Sequence, residues 1–469
     1  MTTRARIVAT IGPASDDDTT IDDLLDAGMH VARVNGAHGT PAGLIATIAR
    51  LRARAAARAA PLAVLADLGG PKLRVGRLAG GVAQLTAGAR FTLTTADVLG
   101  DAAHVHVDYP ALPAEVERGQ TIFLNDGLIR LVVTAVTAVD IETRVEAGGD
   151  LTDRKGLAVP GARLSAPALT AADLRVLDAL ATQPPDFVGL SFVRAAADLA
   201  QLREALRARR LTAGVVAKIE RAEAVAGLDA IIAAADAVMV ARGDLGVECP
   251  VAEVPVLQKH IIRAAIARGV PVITATQMLE SMVDSPRPTR AEASDVANAV
   301  LDGSDAVMLS AETAAGRYPV EAVRTMHALI SAAERFAAAE PGSPAAATRG
   351  LDAPTATAHG ACLAADAVGA AAIVCLTRHG TTARALARWR PRQPILACTP
   401  DAATWRRLSL LWGVEAFQLG SVGTDFDATT DALLAALRAA GRLPADARVV
   451  LTASLPFGAG GPVNTMRIA

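Results

Sequence analysis

VVAKIE (215–220) and AVMVARGDLG (237–246) are two consecutive apolar runs that end in charge. Each reads as a buried strand, and together their ends carry Lys218, Glu220 and Asp244. Strands normally give way to turn residues. Two that give way to an ammonium and two carboxylates point to a shared polar site. A cation with two hard oxygen ligands suits Mg²⁺ and a phosphate-bearing substrate. Taken alone, KIE is equally compatible with a surface ion pair at a strand exit, so the choice rests on the rest of the chain.

The strand–helix rhythm extends in both directions. ARIVATIG (5–12), VARVN (31–35) and LAVLADL (62–68) read as strands, separated by helices over 19–28, closed by Gly28, and 41–58. After a helix over 170–181, DFVGLSFV (186–193) precedes the two opening runs. A helix over 251–268, PVITATQML (271–279), a helix beginning near Arg290 and DAVMLSAET (305–313) follow them. Thr289 and Glu292 have the spacing of a capping box. Between 75 and 162 the pattern changes to short Gly/Thr/Val-rich alternations such as GARFTLTT, TIFLNDG and LIRLVVTAV, the signature of an antiparallel β module.

The rhythm therefore gives eight βα units, three before this insertion and five after it. Eight units favour a closed barrel over an open doubly wound sheet. The expected fold is α/β: a (β/α)8 TIM barrel over 1–74 and 163–340, and an inserted small β-barrel lid over 75–162. A Pro/Gly/Ala linker (337–354) leads to a C-terminal α/β domain over 355–469, with strands at AAIVCLT, PILACTP, VEAFQL and RVVLTAS.

The bulk numbers agree. A chain of 469 residues suits about three domains. Hydrophobic residues are 52% of it and aromatics only 3%, so Ala, Val and Leu must fill the cores. A formal net charge of −2 argues against nucleic-acid or membrane-surface binding, which favour a basic excess. Cys249, Cys362, Cys375 and Cys398 show no paired metal spacing and fit a reducing compartment. MTTRARIVATIG (1–12) enters a strand pattern directly, so no leader is expected. A cytoplasmic protein is the expectation.

In a βα barrel the active site lies at the C-terminal strand ends. The expected ends carry Arg33 and Asn35, Asp67, Ser191 and Arg194, Lys218 and Glu220, Arg242 to Asp244, Thr276 and Gln277, and Ser310 and Glu312. Any one could be a cap or turn. Seven of eight on one rim exceed what capping alone provides.

RIVATIGPAS, ARVNGAHGT, KIE, MVARGDLGVE, ATQMLESM, PRPTRAEASDVANAVLDGSDAVMLSAET and the closing NTMRI resemble, in order and over essentially the whole length, the pyruvate kinase family. The resemblance implies the same three-part fold, with the C-terminal domain regulatory, and phosphoryl transfer from phosphoenolpyruvate to ADP, giving pyruvate and ATP. Such transfers need positioning and charge neutralisation. It implies Lys218 against the transferring phosphoryl group, Arg33 on the phosphate, and Glu220 and Asp244 on Mg²⁺, with Mn²⁺ as a substitute. Backbone N–H groups at Gly243 and Asp244 are expected at the substrate carboxylate. Thr276 is expected near the enolate carbon, and Ser310 on the substrate side. Asn35, His38 and Arg74 fall on the nucleotide side, joined by Lys155 when the lid closes. Asp126 in NDG is either a lid site residue or a plain turn residue before glycine. His104-x-His106 is read as lid surface rather than a metal pair. The resemblance also implies a homotetramer.

Two departures stand out. Members that require K⁺ place Asn, Ser, Asp and a Thr carbonyl around it, within NFSHG and DTKGPEIR. Here Asn35 and Asp67 remain, but Ala37 stands where the Ser hydroxyl would be, and Lys72 where a Glu is typical. A fixed ammonium can supply the charge of a bound K⁺, so no K⁺ requirement is expected. In TRHGTTA (377–383), Thr377, His379, Gly380, Thr381 and Thr382 form the expected effector loop. His379 and Thr381 replace small or basic residues of the motif, which disfavours a sugar bisphosphate and leaves AMP or a sugar phosphate. Two competing readings are a mutase or lyase acting on phosphoenolpyruvate, which leaves the lid and Lys155 unexplained, and a catalytically silent scaffold, which predicts decay of the charged rim.

Overall fold

Eight parallel strands close into a barrel in the computed structural model, which describes residues 3–37, 39–339, 350–420, 423, 425–455 and 461–469. They are β1 (Arg6–Ile11), β2 (Val31–Asn35), β3 (Ala63–Asp67), β4 (Phe187–Leu190), β5 (Gly214–Ile219), β6 (Ala237–Ala241), β7 (Val272–Ala275) and β8 (Ala306–Leu309). Hydrogen bonding runs in sequence around the ring and closes from β8 to β1. The strands are buried on both faces, which is why they read as unbroken apolar runs. Val8, Val31, Leu65, Val216, Met239 and Ile273 fill the inside, and Ile7, Ala9, Val34, Val64, Val215 and Val238 pack under the helices.

Local signals set the helix ends. Asp17 caps Asp18–Ala27 by accepting the Thr20 N–H at 2.9 Å, and Gly28 ends it at φ 111°. Capping boxes open Ala171–Leu180 (Thr170 and Asp173) and Arg290–Leu301 (Thr289 and Glu292).

The insertion is all β around one apolar core that includes Phe91, Ile122, Leu131 and Val145. Its strands form a six-stranded sheet and a two-stranded pair, Val82–Leu85 with Gly149–Thr152. One edge pair, Arg90–Thr94 with His104–His106, is parallel rather than antiparallel. His104 and His106 lie at the surface, with His104 beside Asp101 at 3.1 Å.

The C-terminal domain carries β9 (Ala372–Leu376), β10 (Ile395–Thr399), β11 (Val414–Gln418) and β12 (Val449–Ala453), all parallel. A fifth strand, β13 (Thr465–Ile468), pairs antiparallel with β12, so NTMRI forms a sheet edge. Apolar clusters cover both faces of this sheet.

Arginines stitch this domain to the barrel floor. Arg390 pairs with Asp305 at 2.9 Å, Arg406 with Asp186 at 2.9 Å, and Arg6 donates to the Leu411 carbonyl at 2.8 Å. Arg4 and Arg390 lie 5.2 and 4.9 Å from the Trp412 ring centroid. Leu410 enters the apolar cluster inside the barrel and is 1% exposed. Among the described residues no helix is long and apolar enough to cross a membrane.

Candidate active site

The parallel register sets Asn35 beside Asp67 and Asp67 beside Gly189, which brings the ends of β2, β3 and β4 together. Their side chains form one buried chain of charge. Arg33 donates from Nε to Asp67 Oδ2 at 2.8 Å and from Nη1 to Thr10 Oγ1 at 3.1 Å. Lys218 Nζ lies 3.3 Å from the same Asp67 oxygen and 2.9 Å from Glu220 Oε1, and donates to Ser191 Oγ at 2.7 Å. Ser191 in turn donates its hydroxyl to the Leu68 carbonyl at 2.8 Å. A Cβ on Gly70 (φ 63°) would meet Ser191 Cβ at 3.0 Å, so the close approach requires glycine.

Burial lowers the pKa of Lys218, but the Asp67 and Glu220 carboxylates outweigh it and hold the ammonium above the ordinary lysine value. Burial also raises Asp67, yet Lys218 and Arg33 keep it below the usual carboxylate range. Glu220 differs: burial pushes it up, Asp244 adds to the push, and Lys218 only partly opposes. Asp67 Oδ1 and Glu220 Oε1 are buried without a hydrogen bond, the latter at ion-pair distance from Lys218 but off hydrogen-bonding geometry.

Two converging carboxylates, one with an orphaned buried oxygen, fit a hard divalent cation. Among the described residues no group of three or more His, Cys, Asp or Glu converges for a metal. A cation held by Glu220 and Asp244 would need its other ligands from outside these side chains.

Asp244 lies in the short helix Arg242–Glu248, which starts as β6 ends. The Gly243 N–H donates to Thr276 Oγ1 at 2.8 Å, and Thr276 donates to the Ala275 carbonyl at 2.6 Å. The Gly243 donor expected at the substrate is thus engaged by Thr276 here. Thr276 has φ 70° and Gln277 φ 52°, a left-handed pair that is costly at a β-branched residue. Between this rim and the lid lies a cleft of about 1300 Å³, lined by Arg242, Gly243 and Glu248 below and Phe123, Asp126 and Arg130 above.

The chain matches two family descriptions, "Pyruvate kinase, barrel domain" over residues 2–323 and "Pyruvate kinase, alpha/beta domain" over 355–469. It is 43% identical to a pyruvate kinase of Geobacillus stearothermophilus over 473 residues, covering 100% of this chain and 80% of that one. It is 41% identical to one of Methylorubrum extorquens, covering 99% and 97%. A crystal structure of a pyruvate kinase from Cryptosporidium parvum superposes with a TM-score of 0.91 at 33% identity, covering 100% of this chain and 96% of that one. The chain belongs to the pyruvate kinase family. It is a phosphotransferase.

The other residues expected at the site are spread over the rim, the lid root and the C-terminal domain. Ser310 donates its N–H to Glu312 Oε2 at 2.6 Å, and Glu312 also accepts the Leu279 N–H at 3.0 Å, so this buried carboxylate ties β8 to the loop after β7. Arg74 pairs with Gly156, next to Lys155, and donates to the Arg154 carbonyl at 3.0 Å, which brings Arg74 and Lys155 to the lid root. Asn35 Oδ1 accepts the Ala37 N–H at 3.0 Å. His38 lies outside the described residues. Lys72 Nζ lies 3.3 Å from Asp244 and 3.6 Å from the lid residue Asp126, which sits in a left-handed turn. Its ion pairs are therefore with these carboxylates. In the loop over 377–382, where an effector was expected, Thr377 accepts the Gly380 N–H at 2.9 Å, Thr377 and Thr382 are buried, and His379 and Thr381 are exposed.

Sequence reasoning gave no role to three supports. Phe192, at φ 55°, donates its N–H to Glu220 Oε2 at 2.6 Å. Arg242 donates to the Ala275, Thr276 and Gln277 carbonyls at 3.3, 2.7 and 3.3 Å and pairs with Asp295 at 2.6 Å. Glu248 sits 3.6 Å from Arg221 under the lid. Arg242 was visible as a charge at a strand end, whereas nothing local marks Phe192.

Proposed function

We propose that this enzyme transfers the phosphoryl group of phosphoenolpyruvate to ADP, with 1–74 and 163–340 as catalytic barrel, 75–162 as lid and 355–469 as regulatory domain. The observation that supports this best is the buried chain Arg33, Asp67, Lys218 and Glu220, which holds one ammonium in a fixed place at the barrel rim. Lys218, held charged, offsets that charge as the bond from phosphorus to the enol oxygen breaks and the bond to an ADP oxygen forms. Arg33 grips the phosphoryl oxygens, and Ser310 lies on the substrate side. Mg²⁺ on Glu220 and Asp244, or Mn²⁺ in its place, supplies charge neutralisation when bound. Thr276 lies on the path of the proton that reaches the enolate carbon and completes pyruvate. Asn35, His38, Arg74 and Lys155 face the nucleotide.

Lys72 takes the role of K⁺. Its ammonium already stands among rim carboxylates, and Ala37 removes a cation ligand. The effector loop at 377–382 receives AMP or a sugar phosphate, and the protein works as a cytoplasmic homotetramer.

Pyruvate formation from phosphoenolpyruvate, followed with and without ADP, tests the reaction. ADP-independent consumption of phosphoenolpyruvate would favour a mutase or lyase. Initial rates with K⁺ replaced by tetramethylammonium should stay within about two-fold, and loss of most activity removes the Lys72 role.

A further inference from the structure

The chain returns from the lid to the barrel over residues 157–166, and two barrel arginines hold this root by its backbone. Arg194, in the loop after β4, donates from Nη1 to the Leu164 carbonyl at 2.7 Å. Arg221, directly after Glu220 at the end of β5, donates from Nη2 to the Ala162 carbonyl at 3.2 Å. Ala162 belongs to the lid core and is 1% exposed, so a hold on its carbonyl is a hold on the lid as a body.

The two arginines differ in what else they touch. Arg194 pairs with Asp198 at 3.6 Å, at the start of the helix that follows its own loop. Arg221 pairs from Nε with Glu223 at 3.0 Å, and its Nη1 lies 3.6 Å from Glu248 Oε1. Glu248 ends the short helix that carries Asp244. One guanidinium, on a residue 5% exposed, therefore touches the lid root, follows Glu220 in the chain and reaches the helix of Asp244. The planar fork of arginine can face three partners at once, which a lysine ammonium on its flexible stem does not reproduce. Glu248 Oε2 is buried without a hydrogen bond, and Arg221 is the one ion-pair partner of Glu248 among the described residues. Phe192 adds a second contact between the same parts. Its N–H holds Glu220 Oε2, and the residue lines two small cavities together with Leu157 and Ala158 of the lid.

We propose that Arg221 is a positioning residue that ties the lid root to the two carboxylates of the metal site, so that the set of the lid and the spacing of Glu220 and Asp244 are fixed together. The inference rests on the reading of Glu220 and Asp244 as Mg²⁺ ligands. Coupling between two sites is reciprocal. Drawing the two carboxylates together steadies the lid root through Arg221, and a steady root keeps the carboxylates at ligand spacing. Groups behind the ligands commonly tune a metal site in this way.

Hydrogen exchange of the full-length protein over residues 157–164, with and without Mg²⁺ and in the absence of substrates, tests the link. Mg²⁺ should slow exchange there in the parent by about five-fold, the lower end of ordinary coupling. Arg221→Lys keeps the charge near the carboxylates but not the fork, and should lose that slowing. In the same variant the Mg²⁺ concentration giving half-maximal thermal stabilisation should rise by about five-fold. Arg221→Gln guards against a folding defect of the lysine variant and should lose the slowing too. Arg194→Lys should speed exchange at the root yet keep both the Mg²⁺ response and the Mg²⁺ midpoint. A root that responds to Mg²⁺ equally in the parent and in the Arg221 variants overturns the role of Arg221. The same losses in Arg194→Lys also overturn it, because they belong to a loosened lid. A root that ignores Mg²⁺ in a parent that Mg²⁺ stabilises removes the link alone. A parent that Mg²⁺ does not stabilise overturns the metal reading, and the link falls with it.

Discussion

The guanidinium of Arg242 donates to the backbone carbonyl of Thr276 at 2.7 Å. That contact fixes the left-handed turn that aims the Thr276 hydroxyl at Gly243. A β-branched residue in this region costs on the order of 1–3 kcal/mol, so the turn persists only because its surroundings hold it. Arg242→Gln should relax the turn and lower kcat by about 100-fold, the scale of a 1 Å misplacement. The half-saturating phosphoenolpyruvate concentration should change much less. Steady-state kinetics of Arg242→Gln and Arg242→Lys check this, and full activity in the glutamine variant refutes it.

Lys218→Met should lower turnover by several orders of magnitude. It should also destabilise the protein, because Asp67 and Glu220 keep their burial and lose their shared counter-charge. Breaking a buried ion pair from one side costs about 3–5 kcal/mol. Arg33 remains on Asp67 and moderates the loss. Paired thermal melts and assays check both effects, and an unchanged melting temperature contradicts the second.

Mg²⁺ should raise the melting temperature of the parent protein, since Glu220 and Asp244 oppose one another without it. Chelation should abolish turnover. Asp244→Asn should remove most of the Mg²⁺-dependent stabilisation. Fluorimetric melts across a Mg²⁺ series give the answer, and a metal response intact in Asp244→Asn would falsify the assignment.

Glu248 supplies a pH signature. Burial, against the partial opposition of Arg221, pushes its pKa to about 7. Its folded value exceeds its unfolded value, so the protonated carboxyl favours the fold. That stability is fully present below the unfolded pKa, near 4.5, and is lost as pH rises through about 7. The loss amounts to at most about 3 kcal/mol at 1.36 kcal/mol per unit. Glu248→Gln should therefore lose the part of the stability decline between pH 5 and 8 that this carboxylate causes, and melt higher than the parent at pH 8. Melting curves across that range test it, and parallel pH profiles would count against it.

Much of this arrangement was legible in the chain because strands and caps are local. VARVN is observed as β2, Gly28 closes its helix, and Thr289 with Glu292 forms its capping box. Lys218, Glu220 and Asp244 were legible because charge at the end of an apolar strand is a local anomaly. Contacts between distant segments were not. Phe192 binds Glu220 through its backbone, so its side-chain type carries no signal. Lys72 stood out as a departure from a pattern, but its pairing with Asp126 spans barrel and lid. The parallel lid edge follows from a connection between strands that alternation alone does not reveal.

Leu410 has a consequence for how the protein is made. The apolar plug of the barrel floor sits in a domain that is synthesised after the barrel strands. When residues 3–339 have left the ribosome, all eight strands are present, but the floor is open and Asp186 and Asp305 lack the arginines at 406 and 390. The nascent barrel thus waits about seventy residues more for Leu410, with the apolar mouth of its floor uncovered meanwhile. Genetic removal of the C-terminal domain would leave the barrel permanently in that unfinished condition.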